Sequence, residues 1–480
     1  MLKPESMTRA RRINGTLRRV ARICAGMLFA LLAHLTFVQA FSSRSLNADP
    51  RNERARIARF DEPRGAILSF DGTVVATSRE TDGGPYRYRR FYPHGEMFAP
   101  VTGHLTAGPA TGVERALEAA LSGADAKVKM QSLVRIGTEQ AADVRLTISD
   151  RAQWAAYQSL RAAGTPGAAV AINPATGAVL ALASYPSYDP NAFATFDAAA
   201  LARVERRLSR APGSPLLNRA TAETYPAGSA FKLVTTAAAL ATGEYGPATE
   251  LPGPAKLRLP GTTRYVHNVD GRPCGRDARP TLARAFQGSC DTAFAGIGLQ
   301  LGQDTLRDQA DAFGFNAPEL TIPLPVTPSS FDGAADRSHT ALAAIGGPGG
   351  RVTPLMVAML SAAVANDGTL MRPYLVEEVR LRDGSVIRRA APAPYRTTLA
   401  PELAGQLTAM MTTITRPGGP GTAAAIPGIS VAAKSAGPGA PALFTAFAPA
   451  GAPEVAVGVV LERPGPAAPI ARTIMQAVLS

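Results

Sequence analysis

The chemistry in this sequence is most concentrated in Tyr225-Pro226-Ala227-Gly228-Ser229-Ala230-Phe231-Lys232. Pro and Gly precede Ser229 and the apolar run LVTTAAALA follows Lys232, so the spacing predicts a helix that begins at the serine. Backbone N–H groups and the dipole at such a helix start favour developing negative charge. Lys232 falls three residues on, one turn along the same face. An amine kept partly from water can take a serine proton, so the pair reads as an activated Ser-Lys nucleophile for acyl transfer. S-x-x-K also arises by chance in large proteins, and here composition weighs against chance. Of 50 Lys and Arg only Lys3, Lys127, Lys129, Lys232, Lys256 and Lys434 are lysines, so 44 are arginines. Arginine serves wherever a fixed charge suffices, because it does not deprotonate.

Other chemistries lack their residues. There is no HExxH, GxSxG, Walker A, CxxC or EF-hand pattern, and His34, His94, His104, His267 and His339 are scattered. The three cysteines have no metal-ligand spacing. No metal and no cofactor is expected.

The 480 residues that must position this pair are too many for one ordinary domain. With 46% hydrophobic and 18% charged residues, the composition excludes wholesale disorder and a polytopic membrane protein. The net charge of +13 is unevenly spread: residues 1–22 carry Lys3, Arg9, Arg11, Arg12, Arg18, Arg19 and Arg22 against Glu5, a local +6 that leaves +7 for the rest. Next, Ile23 to Phe41 runs nineteen residues without a formal charge, enough at about 1.5 Å per residue to cross a hydrocarbon core. The expectation is a cytoplasmic basic tail (1–22) and a transmembrane signal anchor (23–41), with the remainder outside a bacterial cell membrane. A cleaved signal peptide is the competing reading, with Val38-Gln39-Ala40 as its small-residue site; the run exceeds the usual h-region, which favours retention. Topology accounts for the basic tail, and Tyr86 to Tyr92 reads as a half-exposed strand, so no nucleic-acid partner is expected.

Residues 42–150 are polar and rich in turn signals, reading as small strands and a few helices. Arg145 to Ile148 is predicted as a strand. From Asp150 the pattern DRAQWAAYQSLRAA predicts an amphipathic helix capped by Ser149 or Asp150. Gly167 to Leu182 reads as strand, turn and strand, and a second domain starts near there. Glu454 to Leu461 is a buried strand and Ile470 to Leu479 a closing helix. The Gly/Pro stretches at 346–350, 417–421 and 437–442 are loops.

With Ser229-x-x-Lys232 go Asn47-Ala48-Asp49-Pro50-Arg51-Asn52, Pro63-Arg64-Gly65-Ala66-Ile67-Leu68, Tyr185-Pro186-Ser187-Tyr188-Asp189-Pro190-Asn191 and Pro215-Leu216-Leu217-Asn218-Arg219-Ala220. On these segments the chain resembles a class B penicillin-binding protein, most closely the penicillin-binding protein A group. The resemblance implies an α+β chain: a single N-terminal transmembrane helix, an elongated non-catalytic pedestal (42–150), and a transpeptidase domain (151–480) with an antiparallel sheet between helical layers. It implies a Ser-x-Asn motif at Ser289-Cys290-Asp291, where Ser289 relays protons to and from Lys232, and a Lys-Thr-Gly motif at Lys434-Ser435-Ala436. Lys434 and Ser435 then bind the substrate carboxylate, and the N–H groups of Ser229 and Gly437 form the oxyanion hole. Two motifs depart from the family pattern. Asp291 replaces the usual Asn, and a carboxylate there is expected to hold Lys232 as an ammonium and raise its pKa. Ala436 adds a methyl group where Gly is usual. Cys274 and Cys290 are expected as a disulfide, whose fifteen-residue loop would stabilise by about 3 kcal/mol in the chain-entropy model, or as two buried thiols.

The function these features imply is a membrane-anchored peptidoglycan D,D-transpeptidase that acylates Ser229 with D-Ala-D-Ala stem peptides and is blocked by beta-lactams. A glycan polymerase and other cell-wall synthesis proteins are the implied partners. The alternative is an attenuated or inactive scaffold of the same machinery, favoured by Asp291 and Ala436. A third reading, hydrolysis as a carboxypeptidase or slow beta-lactamase, is disfavoured by the anchor and pedestal.

Overall fold

The computed structural model describes residues 4–38, 59–134, 141–333, 336–435, 439 and 441–480. The chain divides into two units, Met1–Glu62 and Pro63–Ser480. In the first, a helix spans Pro4–Phe37. Its stretch Leu17–Phe37, 21 residues, is long and apolar enough to cross a membrane and is wholly exposed. Phe41, the expected end of the anchor, lies with residues 39 and 40 outside the described residues. Asn47 to Asn52 lie outside them as well.

The second unit contains two main sheets. The first orders its strands Val386–Arg389, Val376–Leu381, Ala142–Leu146, Ile67–Leu68, Val74–Glu80 and Tyr88–Phe91. Only the pairing of Ile67–Leu68 with Ala142–Leu146 is parallel. Pro63-Arg64-Gly65 acquires a physical reason here. A Cβ on Gly65 would stand 2.0 Å from the Ala142 carbonyl oxygen, so only glycine lets the chain enter the sheet there. Arg64 donates through Nε to Glu114 (2.7 Å) and through Nη2 to Glu118 (2.9 Å), and Arg90 reaches the other Glu114 oxygen at 2.5 Å. Burial pushes the Glu114 carboxyl up, but Arg90 and Arg64 outweigh it and hold the group below its ordinary value.

The second sheet orders Ala432–Ser435, Ala442–Ala448, Val455–Leu461, Gly167–Ile172 and Val179–Tyr185, all antiparallel. Its central strands are buried on both faces, hence their near-continuous Val and Ala. Pro354–Ala365 covers one face; Asp150–Ala163 and Ala467–Leu479, packed together, cover the other. Gly458 lets the first of these approach, since a Cβ there would lie 2.3 Å from the Ala358 amide nitrogen. This is the α+β arrangement of antiparallel sheet between helical layers that the sequence implies.

The Gly167 hairpin and the helix from Asp150 stand where expected, with Ser149 at the N-cap. The Tyr88–Phe91 strand is half-exposed. One strand shifts: it covers Ala142–Leu146 rather than 145–148. The Thr147 amide still donates to the Leu375 carbonyl, but its hydroxyl donates to the Val179 carbonyl and the Ser149 amide to the Leu180 carbonyl, so the chain crosses to the second sheet over these residues.

Candidate active site

Three local structures converge. The first is the nucleophile turn. Tyr225–Pro226 pairs with Gly350–Val352, a 3-10 turn follows at Gly228–Phe231, and the α-helix runs Lys232–Ala241, buried to Leu240. Ser229 therefore sits in a tight first turn ahead of the helix proper. The turn is clamped from the 346–350 loop: Gly228 donates to the Gly346 carbonyl (3.1 Å) and Ala227 to the Gly350 carbonyl (3.0 Å). Phe231 is stacked on Phe331, with ring centroids 4.8 Å apart, which pins the base of the turn.

The second is the junction between helices Leu282–Gln287 and Asp291–Ala312. Ser289 takes the left-handed backbone conformation, φ +54°, that glycine usually fills after a helix. There its amide donates to Phe286 and that of Cys290 to Ala285, closing the first helix. Holding a serine at this φ turns both its carbonyl and its hydroxyl toward Lys232. Cys290 is joined to Cys274 by a disulfide.

The third is the edge strand Ala432–Ser435, where Lys434 pairs with Thr445 of the neighbouring strand. Ala436 and Gly437 lie outside the described residues, and with them half of the implied oxyanion hole.

The side chains meet around Ser289. Lys232 Nζ lies 3.2 Å from Ser229 Oγ, 3.1 Å from Ser289 Oγ, 2.7 Å from the Ser289 carbonyl and 2.5 Å from Asp291 Oδ1. Lys434 Nζ approaches Ser289 Oγ from the other side at 3.1 Å and also donates to the Ser435 carbonyl at 3.3 Å. Both lysine side chains are fully buried. The structure thus brings together Ser229, Lys232, Ser289, Asp291 and Lys434.

The expected upward pull of Asp291 on Lys232 is present but outweighed. Burial lowers the Lys232 pKa more than the Asp291 charge and hydrogen bond raise it, so the amine ends below its ordinary value. Desolvation of a fully enclosed ammonium is the larger effect. Lys434 is driven well down, first by burial and then by the like charge of Lys232, against the pull of Asp291.

Two site features escape motif reading. The Phe294 ring lies 5.6 Å from Lys232 Nζ and the Phe286 ring 5.1 Å from Lys434 Nζ. These rings exclude water and favour a cation by cation–π attraction. Their positions, three residues after Asp291 and three before Ser289, are helical spacings that could have disclosed them. Gly346 is marked in the sequence only as part of a Gly/Pro loop.

Comparison with known proteins agrees with the geometry. Residues 167–476 match the penicillin-binding protein transpeptidase domain, and residues 64–144 match the penicillin-binding protein A dimerisation domain. The peptidoglycan D,D-transpeptidase PbpA of Mycolicibacterium smegmatis is 39% identical over 97% of this chain and 99% of its own. Its namesake from Mycobacterium tuberculosis is 37% identical over the same shares. Structures of M. tuberculosis penicillin-binding protein A as ceftriaxone and imipenem acyl-enzyme complexes superpose with TM-scores of 0.84 and 0.83, at 35% and 37% identity, covering 88% of this chain and 100% of theirs. With a Ser-Lys pair at the head of a helix, its lysine buried, and matches across both folded segments, this chain belongs to the penicillin-binding protein transpeptidase family.

Proposed function

We propose that this chain is a peptidoglycan D,D-transpeptidase working through an acyl-enzyme at Ser229. The observation that carries the reading is the 3.2 Å approach of a buried, pKa-lowered Lys232 amine to Ser229 Oγ. As Oγ attacks the carbonyl of the penultimate D-Ala, its proton passes to Lys232 Nζ. Ser289 Oγ, within 3.1 Å of both amines, relays a proton to the departing D-Ala nitrogen. An amine from a neighbouring stem peptide then attacks the acyl-enzyme and the proton path runs backwards. Lys434 and Ser435 receive the terminal carboxylate, and a beta-lactam presents the same carboxylate and carbonyl.

Proton inventory supports this division of roles. Two fully buried amines and one largely enclosed carboxylate share the site, so its neutral state holds one ammonium and one free amine. A substrate carboxylate arriving at Lys434 draws the proton there through Ser289 and leaves Lys232 as the free base beside Ser229.

In this reading residues 42–150 form the non-catalytic pedestal and 151–480 the catalytic domain. Residues 1–22 lie in the cytoplasm, the anchor holds the chain in a bacterial cell membrane, and a glycan polymerase supplies the strands to be joined. The test is incubation of the folded chain with a labelled penicillin. An adduct mapping to Ser229 and lost in Ser229→Ala is expected. No adduct on folded protein at long times would sink the acyl-transfer reading and leave the scaffold.

A further inference from the structure

The catalytic helix Asp291–Ala312 begins without a cap of its own, since Cys290 at its N-cap makes no side-chain hydrogen bond to the first turn. A buried helix start with orphan N–H groups needs a partner from elsewhere. That partner is Asn268, 24 residues upstream of Thr292 and itself buried. Its Oδ1 accepts from the Thr292 amide at 3.0 Å and lies 3.1 Å from the Thr292 hydroxyl, which in turn is 2.8 Å from the Pro254 carbonyl. The orientation of the amide is decided by its other end, where Nδ2 donates to the carbonyls of Pro254 (3.0 Å) and Arg272 (2.7 Å). A flipped amide would set NH2 against the Thr292 N–H and lose all of these bonds.

Asn268 and Cys274 both belong to the excursion between the nucleophile helix and the Ser289 junction. The disulfide holds Cys290 and Asn268 holds Thr292. Asp291, whose carboxylate touches Lys232, lies between these two tethers. We propose that Asn268 is a positioning residue for the acyl-transfer reaction, capping the catalytic helix from outside and thereby holding Ser289 and Asp291 against Lys232. The inference rests on the acyl-transfer reading above. Lys232 is faced by Asp291 from this helix, by Lys434 from the edge strand, by the Ser229 and Ser289 hydroxyls and by the Phe294 ring. Loosening the helix start removes the one negative charge among them, so less holds the proton on Lys232.

The test compares the full chain with Asn268→Ala and Asn268→Asp. In Asn268→Ala the plateau rate of penicillin acylation is expected to fall about tenfold or more, because a small misplacement of reacting groups is costly. The ascending limb of its pH profile should also move to lower pH. Asn268→Asp keeps an acceptor for Thr292 and adds a negative charge but loses the two bonds to Pro254 and Arg272, so, read on its folded fraction, its limb should stay at the parent position or move the other way. Backbone amide exchange at Thr292, whose acceptor is lost only in Asn268→Ala, should quicken more there than in Asn268→Asp. Limbs and exchange identical to the parent in both variants, with any rate loss matching the unfolded fraction seen by melting, would overturn the inference. A parent chain that forms no Ser229 adduct fails the functional reading instead, and the exchange comparison still decides whether Asn268 holds the turn.

Discussion

Around the Ser289 hydroxyl, burial and charge work against each other on the same amine. Burial takes Lys232 down and Asp291 takes it part of the way back. Asp291→Asn removes the opposing charge, so the Lys232 pKa falls further and the free amine persists to lower pH. Acylation depends on that free amine, so its ascending limb moves toward acid. At a fixed pH on the limb the rate rises, by up to about tenfold for each unit of displacement. A pH series of penicillin acylation rates checks this; a limb that stays put would mean that Asp291 does not govern Lys232. Ser229 and Lys232 were legible in the sequence because their relation is local, three residues on one helical face. The net direction of the Lys232 shift was not. It depends on how completely the Phe294 ring and the 289–291 turn enclose the amine, a property of contacts 57 to 62 residues away.

Among the elements, the nucleophile turn keeps its place through a loop more than a hundred residues later. Gly346 has φ +78°, and a Cβ there would stand 1.8 Å from the Gly228 carbonyl oxygen. Gly346→Ala therefore combines an unfavourable backbone conformation with a collision against the residue preceding the nucleophile. We expect a stability loss of about 3 kcal/mol, combining strain and overpacking, and a larger fall in acylation than the folded fraction explains. Gly243, just past the same helix, supplies the control: its φ is +76° but a Cβ there meets nothing within 4 Å. Gly243→Ala should cost about 1 kcal/mol and leave the acylation rate of folded protein unchanged. Thermal melts and acylation rates on both variants decide the point; equal rates would show that the 346–350 contact does not position Ser229. The sequence marks 346–350 only as a loop, because glycine spacing signals flexibility and does not name what approaches.

At the scale of the whole molecule, chain order and sheet order part company. The strand Ala142–Leu146 buries Ala142, Val144 and Leu146, and its outer neighbour is Val376–Leu381, in register Val144 to Val379. Glu378 on that returning strand is buried and pairs with Arg389 at 3.1 Å and Arg145 at 3.9 Å. A segment reading assigns residues up to 150 to one module and places its last strand at 145–148, three residues late at its start. The partner of the last strand was not readable, since pairing across some 230 residues leaves no local trace. Without Val376–Arg389 the first sheet has an open edge beside apolar positions, a poor state for a small domain. Residues 63–150 expressed alone are therefore expected to lack a cooperative melt and to be cut readily by protease. Joining residues 372–391 to that fragment through a short linker should restore both cooperativity and resistance. A cooperative, protease-resistant 63–150 fragment would refute the dependence. If the dependence holds, the sheet of the first segment cannot form independently of the catalytic chain, because its outer strands leave from Tyr374, whose carbonyl accepts from Val179 in the catalytic sheet. Displacement of the first sheet is then delivered to Val179–Tyr185 through backbone hydrogen bonds instead of through a flexible linker.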